Sequence, residues 1–174
     1  MVNGVSMHER QFAGYGHLFK WLGWSIAVIL LDQISKYIAT QYLVLNESLS
    51  LMPMVNLTLA HNSGAAFSFL SSASGWQRWF FIVLALCISV AIMVWLSRLT
   101  ADEKYLALSL SLILGGAIGN VWDRVQFGYV IDFIDVYYDK WHWPVFNIAD
   151  SAITLGAVIL IADSLILRKQ KRTG

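Results

Sequence analysis

A chain of 174 residues that is 57% hydrophobic and only 13% charged is too apolar for an ordinary soluble domain and has the balance of a polytopic membrane protein. Its formal net charge of +1, with no basic patch interleaved with aromatics, leaves no case for nucleic acid. The single cysteine, Cys87, excludes an internal disulfide and a metal site built on thiolates.

A bilayer core about 30 Å thick takes roughly 20 mostly apolar residues per helix. Four stretches meet that demand, approximately 18–38, 76–96, 105–122 and 148–167. The first has a long apolar run with no small-residue cleavage site after it, and Asp32 and Lys36 extend it, so it reads as a retained helix and not a secretory signal. Those two residues are four apart with the acid first, which puts them on one helix face as a favourable ion pair. Such a pair can be structural, its lysine reaching toward the outer surface, or functional.

Outer segment 39–75 contains SLSLMPMVNLTLAHNSGAAFSFL. There Leu49, Leu51, Val55, Leu57 and Leu59 alternate with polar or small residues, a period-two pattern that predicts short strands. A sheet edge cannot lie in lipid, so this sheet is expected to rest on the membrane surface. The second span, from Trp76 to Leu96, is apolar throughout its middle. The third carries Gly115, Gly116 and Gly119, a small-residue spacing that favours tight helix packing. Asp123 and Arg124 are expected at its end.

Outer segment 123–147 places Asp132 in YVIDFIDV, read as an apolar loop, and the fourth span begins with Asp150 in its first turn. Asn147 can cap that helix while Asp150 reaches back, and the positive end of the helix dipole favours a carboxylate there. A purely structural first-turn acid would look the same. Asp132 and Asp150 lie eighteen positions apart, at the same end of two consecutive spans, so the loop can bring them together. Two carboxylates in a poorly hydrated place cannot both ionise, which sets an acid beside a base.

Eight of the twelve lysines and arginines fall before or in the first turn of the first span (Arg10, Lys20), between the second and third, or after the fourth. The positive-inside rule then places both termini in the cytoplasm and the acids at the outer face. All eight tryptophans lie near span ends or in the outer segments, as interfacial belts do. The four histidines show no metal-ligand spacing, and no serine has a G-x-S-x-G setting. The residues alone leave three readings: hydrolysis by an acid pair, a small transporter or proton channel built on buried carboxylates, or an assembly protein with a glycine-rich docking helix. A channel would need polar groups through the whole bundle, and an assembly role leaves Asp132 without a purpose.

LDQISK (31–36), HNSGAAFSFL (61–70), GNVWDR (119–124), VIDF (130–133) and FNIADSAI (146–153), in that order among four spans, resemble the bacterial lipoprotein signal peptidases, also called signal peptidase II. The resemblance runs from about Trp21 to Leu167; the N-terminal MVNGVSMHERQFAGYG matches nothing in the family pattern. It implies an aspartyl endopeptidase of the bacterial inner membrane that removes the signal peptide from prolipoproteins, cutting just before a cysteine that bears a diacylglyceryl group. It assigns catalysis to Asp132 and Asp150, and supporting or substrate-binding roles to Asp32, Lys36, Asn62, Gly64, Asn120, Asp123, Arg124 and Asn147. It implies no metal and no organic cofactor, membrane lipids as surroundings, and cyclic peptides of the globomycin kind as inhibitors. The expected fold is an all-α integral membrane protein, one membrane domain over 1–174, with four transmembrane helices and a small extracytoplasmic sheet between helices 1 and 2. Small residues at Gly64, Ala65 and Ala66 would leave room for an extended substrate chain.

Overall fold

The computed structural model describes residues 15–64 and 75–173, with side chains placed over 17–64 and 75–165. Residues 65–70 of HNSGAAFSFL, Ala65 and Ala66 among them, residues 1–14 and the side chains of the basic tail lie outside the described residues. Four helices form the bundle: α1 (Tyr15–Tyr42), α2 (Trp76–Leu96), α3 (Lys104–Gln126) and α4 (Ile148–Thr173). Each is long and apolar enough to cross a membrane. Helix α3 is the centre, with 61% of its apolar window inside the protein against 22% or less for the other three. It packs on α4, α1 and α2.

The glycines explain how α3 comes so close to two neighbours. A methyl group added at Gly115 would meet the Ser25 carbonyl oxygen at 2.7 Å and Val28 of α1; one at Gly116 would meet the Ala149 carbonyl and Ile153 of α4. One at Gly119 would meet the Asp32 carboxylate at 2.7 Å. Gly156 answers from α4, against the Ser109 carbonyl at 2.7 Å. Gly116→Ala is therefore expected to force α3 from α4 at a cost of about 1–3 kcal/mol, the usual range for overpacking. The check is the thermal unfolding midpoint in detergent, and a midpoint equal to that of the wild type contradicts the close approach.

Helix α3 runs four residues past the predicted span end, so Asp123 and Arg124 lie within it; Asp123 is buried because it has a cation to meet, described below. Seven tryptophans are exposed, as expected of belts, but Trp21 turns inward. It packs with Leu96, Leu106 and Leu110 and donates from Nε1 to His17 Nε2 at 3.0 Å. A buried indole needs an acceptor, and His17 one turn earlier supplies it.

Strands β1 (Ser48–Met52) and β2 (Val55–Asn62) occupy the stretch whose alternation predicts them. The sheet then continues with β3 (Val130–Tyr138) and β4 (Trp141–His142), all antiparallel in the order β1-β2-β3-β4. The segment read from sequence as an apolar loop is thus a strand. Val130, Ile131, Asp132 and Phe133 are all buried, and a strand covered on both faces shows no alternation. Leu59, Ile131 and Phe133 pack on Ala39 near the end of α1, which fixes the sheet to one end of the bundle.

Candidate active site

Strand register brings the first pair of polar groups together. Ala60 stands opposite Asp132 and Asn62 opposite Val130, so Asn62 and Asp132 share a sheet face as diagonal neighbours. Asn62 Nδ2 donates to Asp132 Oδ2 at 3.0 Å, and its Oδ1 accepts from the Gly64 amide at 3.1 Å. Asp132 is almost wholly buried.

The start of α4 brings the second acid. Asn147 Oδ1 accepts from the Asp150 amide at 2.9 Å, and Asp150 Oδ2 accepts from the Asn147 amide at 3.4 Å. This is the reciprocal cap that the sequence predicts. With its oxygen so occupied, the Asn147 amide must present its nitrogen elsewhere: Nδ2 donates to Asp132 Oδ1 at 2.7 Å, to the Ile131 carbonyl at 3.2 Å and to Asn120 Oδ1 at 3.2 Å. Asn120 of α3 in turn donates from Nδ2 to Asp150 Oδ1 at 2.8 Å. Each acid accepts from an asparagine, and the two asparagines touch.

Behind this layer lies an ion cluster. Lys36 Nζ stands 2.8 Å from Asp32 Oδ2 and 2.8 Å from Asp123 Oδ2. The lysine is 1% exposed, so the i, i+4 pair predicted from sequence forms but points into the bundle and not toward the outer surface. Gln33, which sequence reasoning did not single out, donates to Asp123 Oδ1 at 2.8 Å and to Asp32 Oδ2 at 3.1 Å. Its position between Asp32 and Lys36 in LDQISK was the available signal.

Arg124 reaches from α3 to the β2 end, donating to the Gly64 carbonyl at 3.1 Å and lying over the Phe81 ring at 5.2 Å. A cleft of about 740 Å³ opens here, with Asn62, Gly64, Asn120, Arg124 and Asp150 at its polar end and Phe146, Leu155 and Val158 among its apolar walls. Leu155 and Val158 are also exposed on α4, so the cleft is continuous with the apolar outside of the bundle. Burial, and then the charge of Asp150, push Asp132 from the ordinary carboxylate value of 3.8 up to about 7, against the opposing effects of Asn62, Lys36 and Asn147. All ten residues singled out from the sequence are therefore in this cleft or in the buried network directly behind it. Asp135 faces away from it on β3, held by His142 Nδ1 at 2.8 Å and by Thr58 at 3.2 Å.

The family model described as signal peptidase (SPase) II matches residues 24–166. The chain belongs to the signal peptidase II family. A lipoprotein signal peptidase of Acinetobacter baumannii is 50% identical over 92% of this chain and 91% of its own length; one of Pseudomonas syringae pv. tomato is 47% identical over 88% of both. A solved structure described as a bacterial membrane enzyme superposes with a TM-score of 0.77 at 30% identity, covering 94% of this chain and 96% of that one. As a member of the signal peptidase II family, the chain is a multi-pass bacterial membrane protein and a peptidase.

Proposed function

We propose that this protein cleaves the signal peptide from prolipoproteins whose cysteine carries a diacylglyceryl group, just before that cysteine, with Asp132 and Asp150 as the catalytic residues. The observation that carries the reading is the acid pair itself: two carboxyl groups from separate elements, electrostatically coupled and each held by an asparagine amide. Asp150 lines the polar end of a cleft on the lipid-facing side of α4, and Asp132 is buried just behind the Asn62 and Val130 that also line it. A channel reading fares worse, because the charged side chains buried among the described residues (Asp32, Lys36, Asp123, Asp132, Asp135) gather at the sheet end of the bundle.

Asp132, whose proton affinity is raised into the neutral range, holds the shared proton; Asp150 is the base. Asp150 takes a proton from water as the water oxygen attacks the scissile carbonyl carbon, and Asp132 gives its proton to the carbonyl oxygen. Asp150 then returns its proton to the amide nitrogen as the C–N bond breaks. Asp132 recovers a proton from the tetrahedral hydroxyl, leaving a carboxylic acid and a free amine. Asn62 and Arg124 line the path of the substrate backbone, and donors placed at a site poor in water stabilise developing charge strongly. Gly64 leaves space beside them.

Lysine and arginine placement supports both termini in the cytoplasm of the inner membrane and the acid pair toward its outer face. There the acyl chains of the substrate stay among membrane lipids while the peptide bond enters the cleft, and cyclic peptide inhibitors of the globomycin kind occupy the same space. The whole chain acts as one membrane domain.

Detergent-purified protein incubated with a precursor bearing the diacylglyceryl cysteine should release the signal peptide, and the unmodified precursor should stay uncut. The rate should fall on both sides of an optimum. Asp132 must be protonated to act as the acid, so the alkaline limb is expected near pH 7, the value to which its proton affinity is raised. No cleavage of the lipidated precursor, or a rate flat from pH 5 to 9, contradicts the proposal.

A further inference from the structure

An ammonium group has three N–H donors and no acceptor, and at Lys36 all three are engaged inside the protein: with Asp32 Oδ2 at 2.8 Å, Asp123 Oδ2 at 2.8 Å and Asn120 Oδ1 at 3.0 Å. Besides Gln33, the two carboxylates around it each hold one backbone amide. Asp32 Oδ1 accepts from the Ala149 amide at 2.9 Å, and Asp123 Oδ2 accepts from the Ile131 amide at 3.1 Å. Ala149 is the residue before Asp150 and Ile131 the residue before Asp132. The backbone immediately preceding each acid of the pair is thus tied, through one carboxylate, to the same cation.

The third contact sets a direction. A carboxamide has nearly the same shape either way round, so its neighbours decide which end is oxygen. Facing a group that only donates, Asn120 must turn its oxygen to Lys36 and its nitrogen to Asp150, the 2.8 Å contact observed. Asn147 reinforces the choice, but its Nδ2 is shared among three acceptors, with Asp132 the nearest at 2.7 Å. Turned over, Asn120 would set its oxygen lone pairs against the Asp150 carboxylate.

We infer that Lys36 is the positioning residue of the acid pair: its single ammonium fixes the separation of the two acid-bearing backbone segments and turns the Asn120 amide toward Asp150. This role rests on the proposed aspartyl peptidase activity and explains why a charged cluster is retained in a buried place. Lys36 does not touch the substrate, since it lies behind the cleft at 1% exposure with no donor to spare. A merely structural cluster, by contrast, can often be exchanged for uncharged residues of similar size without loss.

The test is the triple variant Asp32→Asn, Lys36→Met, Asp123→Asn. It keeps an oxygen acceptor for the Ala149 and Ile131 amides and removes the ammonium along with both charges that would otherwise be stranded. With the lipidated precursor, its kcat is expected to fall at least about a hundredfold, the scale of a 1 Å misplacement of reacting groups, while KM stays within about twofold. Asn120→Ala, which is expected to lower kcat at least tenfold in the wild-type background, should lower it little further in the triple variant, because both changes break one relay. A folded triple variant with wild-type kcat and pH profile overturns the role, as does full additivity with Asn120→Ala or a loss confined to KM. If the triple variant does not fold, Asn120→Asp tests the relay from its far end with Lys36 intact: at least a tenfold loss in kcat at unchanged KM is expected, and the wild-type rate overturns the role. Wild-type protein that leaves the lipidated precursor uncut overturns the peptidase reading itself; any of the other contrary results removes the positioning role alone.

Discussion

Asp132→Asn and Asp150→Asn are each expected to abolish cleavage of the lipidated precursor, with kcat falling by about 10⁴-fold or more, while the protein remains folded and membrane-inserted. General acid or base catalysis by one positioned group contributes roughly 10²–10⁴. Attack needs one carboxyl group ionised and the other protonated at the same time, so loss of either stops the step that both share, and the double variant should be no worse than either single one. An amide matches either carboxyl in size, and its oxygen keeps one of the two donors from which each acid accepts. Stability should separate the two variants. Asp132 binds its proton more tightly in the folded protein, up to about 7, than at the ordinary value of 3.8. The folded state therefore holds more protons than the unfolded one between those values, and stability is lost as pH rises through that window. Asparagine never ionises. Above pH 7, Asp132→Asn should melt higher than the wild type, a gap that closes on acidification toward pH 4. A fall in kcat of less than about 100-fold in either purified variant, or a melting gap between Asp132→Asn and the wild type that does not shrink on acidification, contradicts the assignment.

What the sequence made legible follows from the range of the interactions involved. Span α2 is matched at both ends because its apolar run is local, broken after Trp79 only by Ser89 and ending at Leu96. The Asn147–Asp150 cap and the Asp32–Lys36 pair are contacts within one helical turn, and spacing alone predicts them. Strand β3 reads as a loop in the sequence because burial on both faces erases the period of two that marks β2. The partners of Asp123, Lys36 and Asn120 were hidden for a different reason: Asn120 to Lys36 crosses 84 positions and Asn62 to Asp132 crosses 70, distances over which no periodicity carries. Resemblance to a family named those residues, but only the packing says what each holds. The amides of Ile131 and Ala149, on which the placing of both acids depends, have no side-chain signature at all.

Asn147 lets two of these functions be separated by experiment. It is fully buried and does two things: its oxygen caps α4 through the Asp150 amide, and its nitrogen donates to Asp132. Serine is as good an N-cap as asparagine, whereas alanine costs about 1 kcal/mol there. Asn147→Ser should therefore keep the helix start and lose the amide donor, and Asn147→Ala should lose both. Activity is expected to follow the donor. As Asp132 gives up its proton its hydrogen bond from Asn147 becomes charge-assisted, a contact that contributes about 1.5–3 kcal/mol. The Ile131 carbonyl and Asn120 lose a partner together with Asp132, so both variants should fall about a hundredfold in kcat, with Asn147→Ala melting lower than Asn147→Ser. The pH profile gives a second readout with a definite sign. The Asn147 hydrogen bond is one of the contacts that restrain the proton affinity of Asp132; without it Asp132 holds its proton to higher pH, and the alkaline limb of the rate should move upward in both variants. An Asn147→Ser protein with the wild-type rate and an unmoved alkaline limb would mean that the cap alone matters, and that the acid pair does not depend on the amides that surround it.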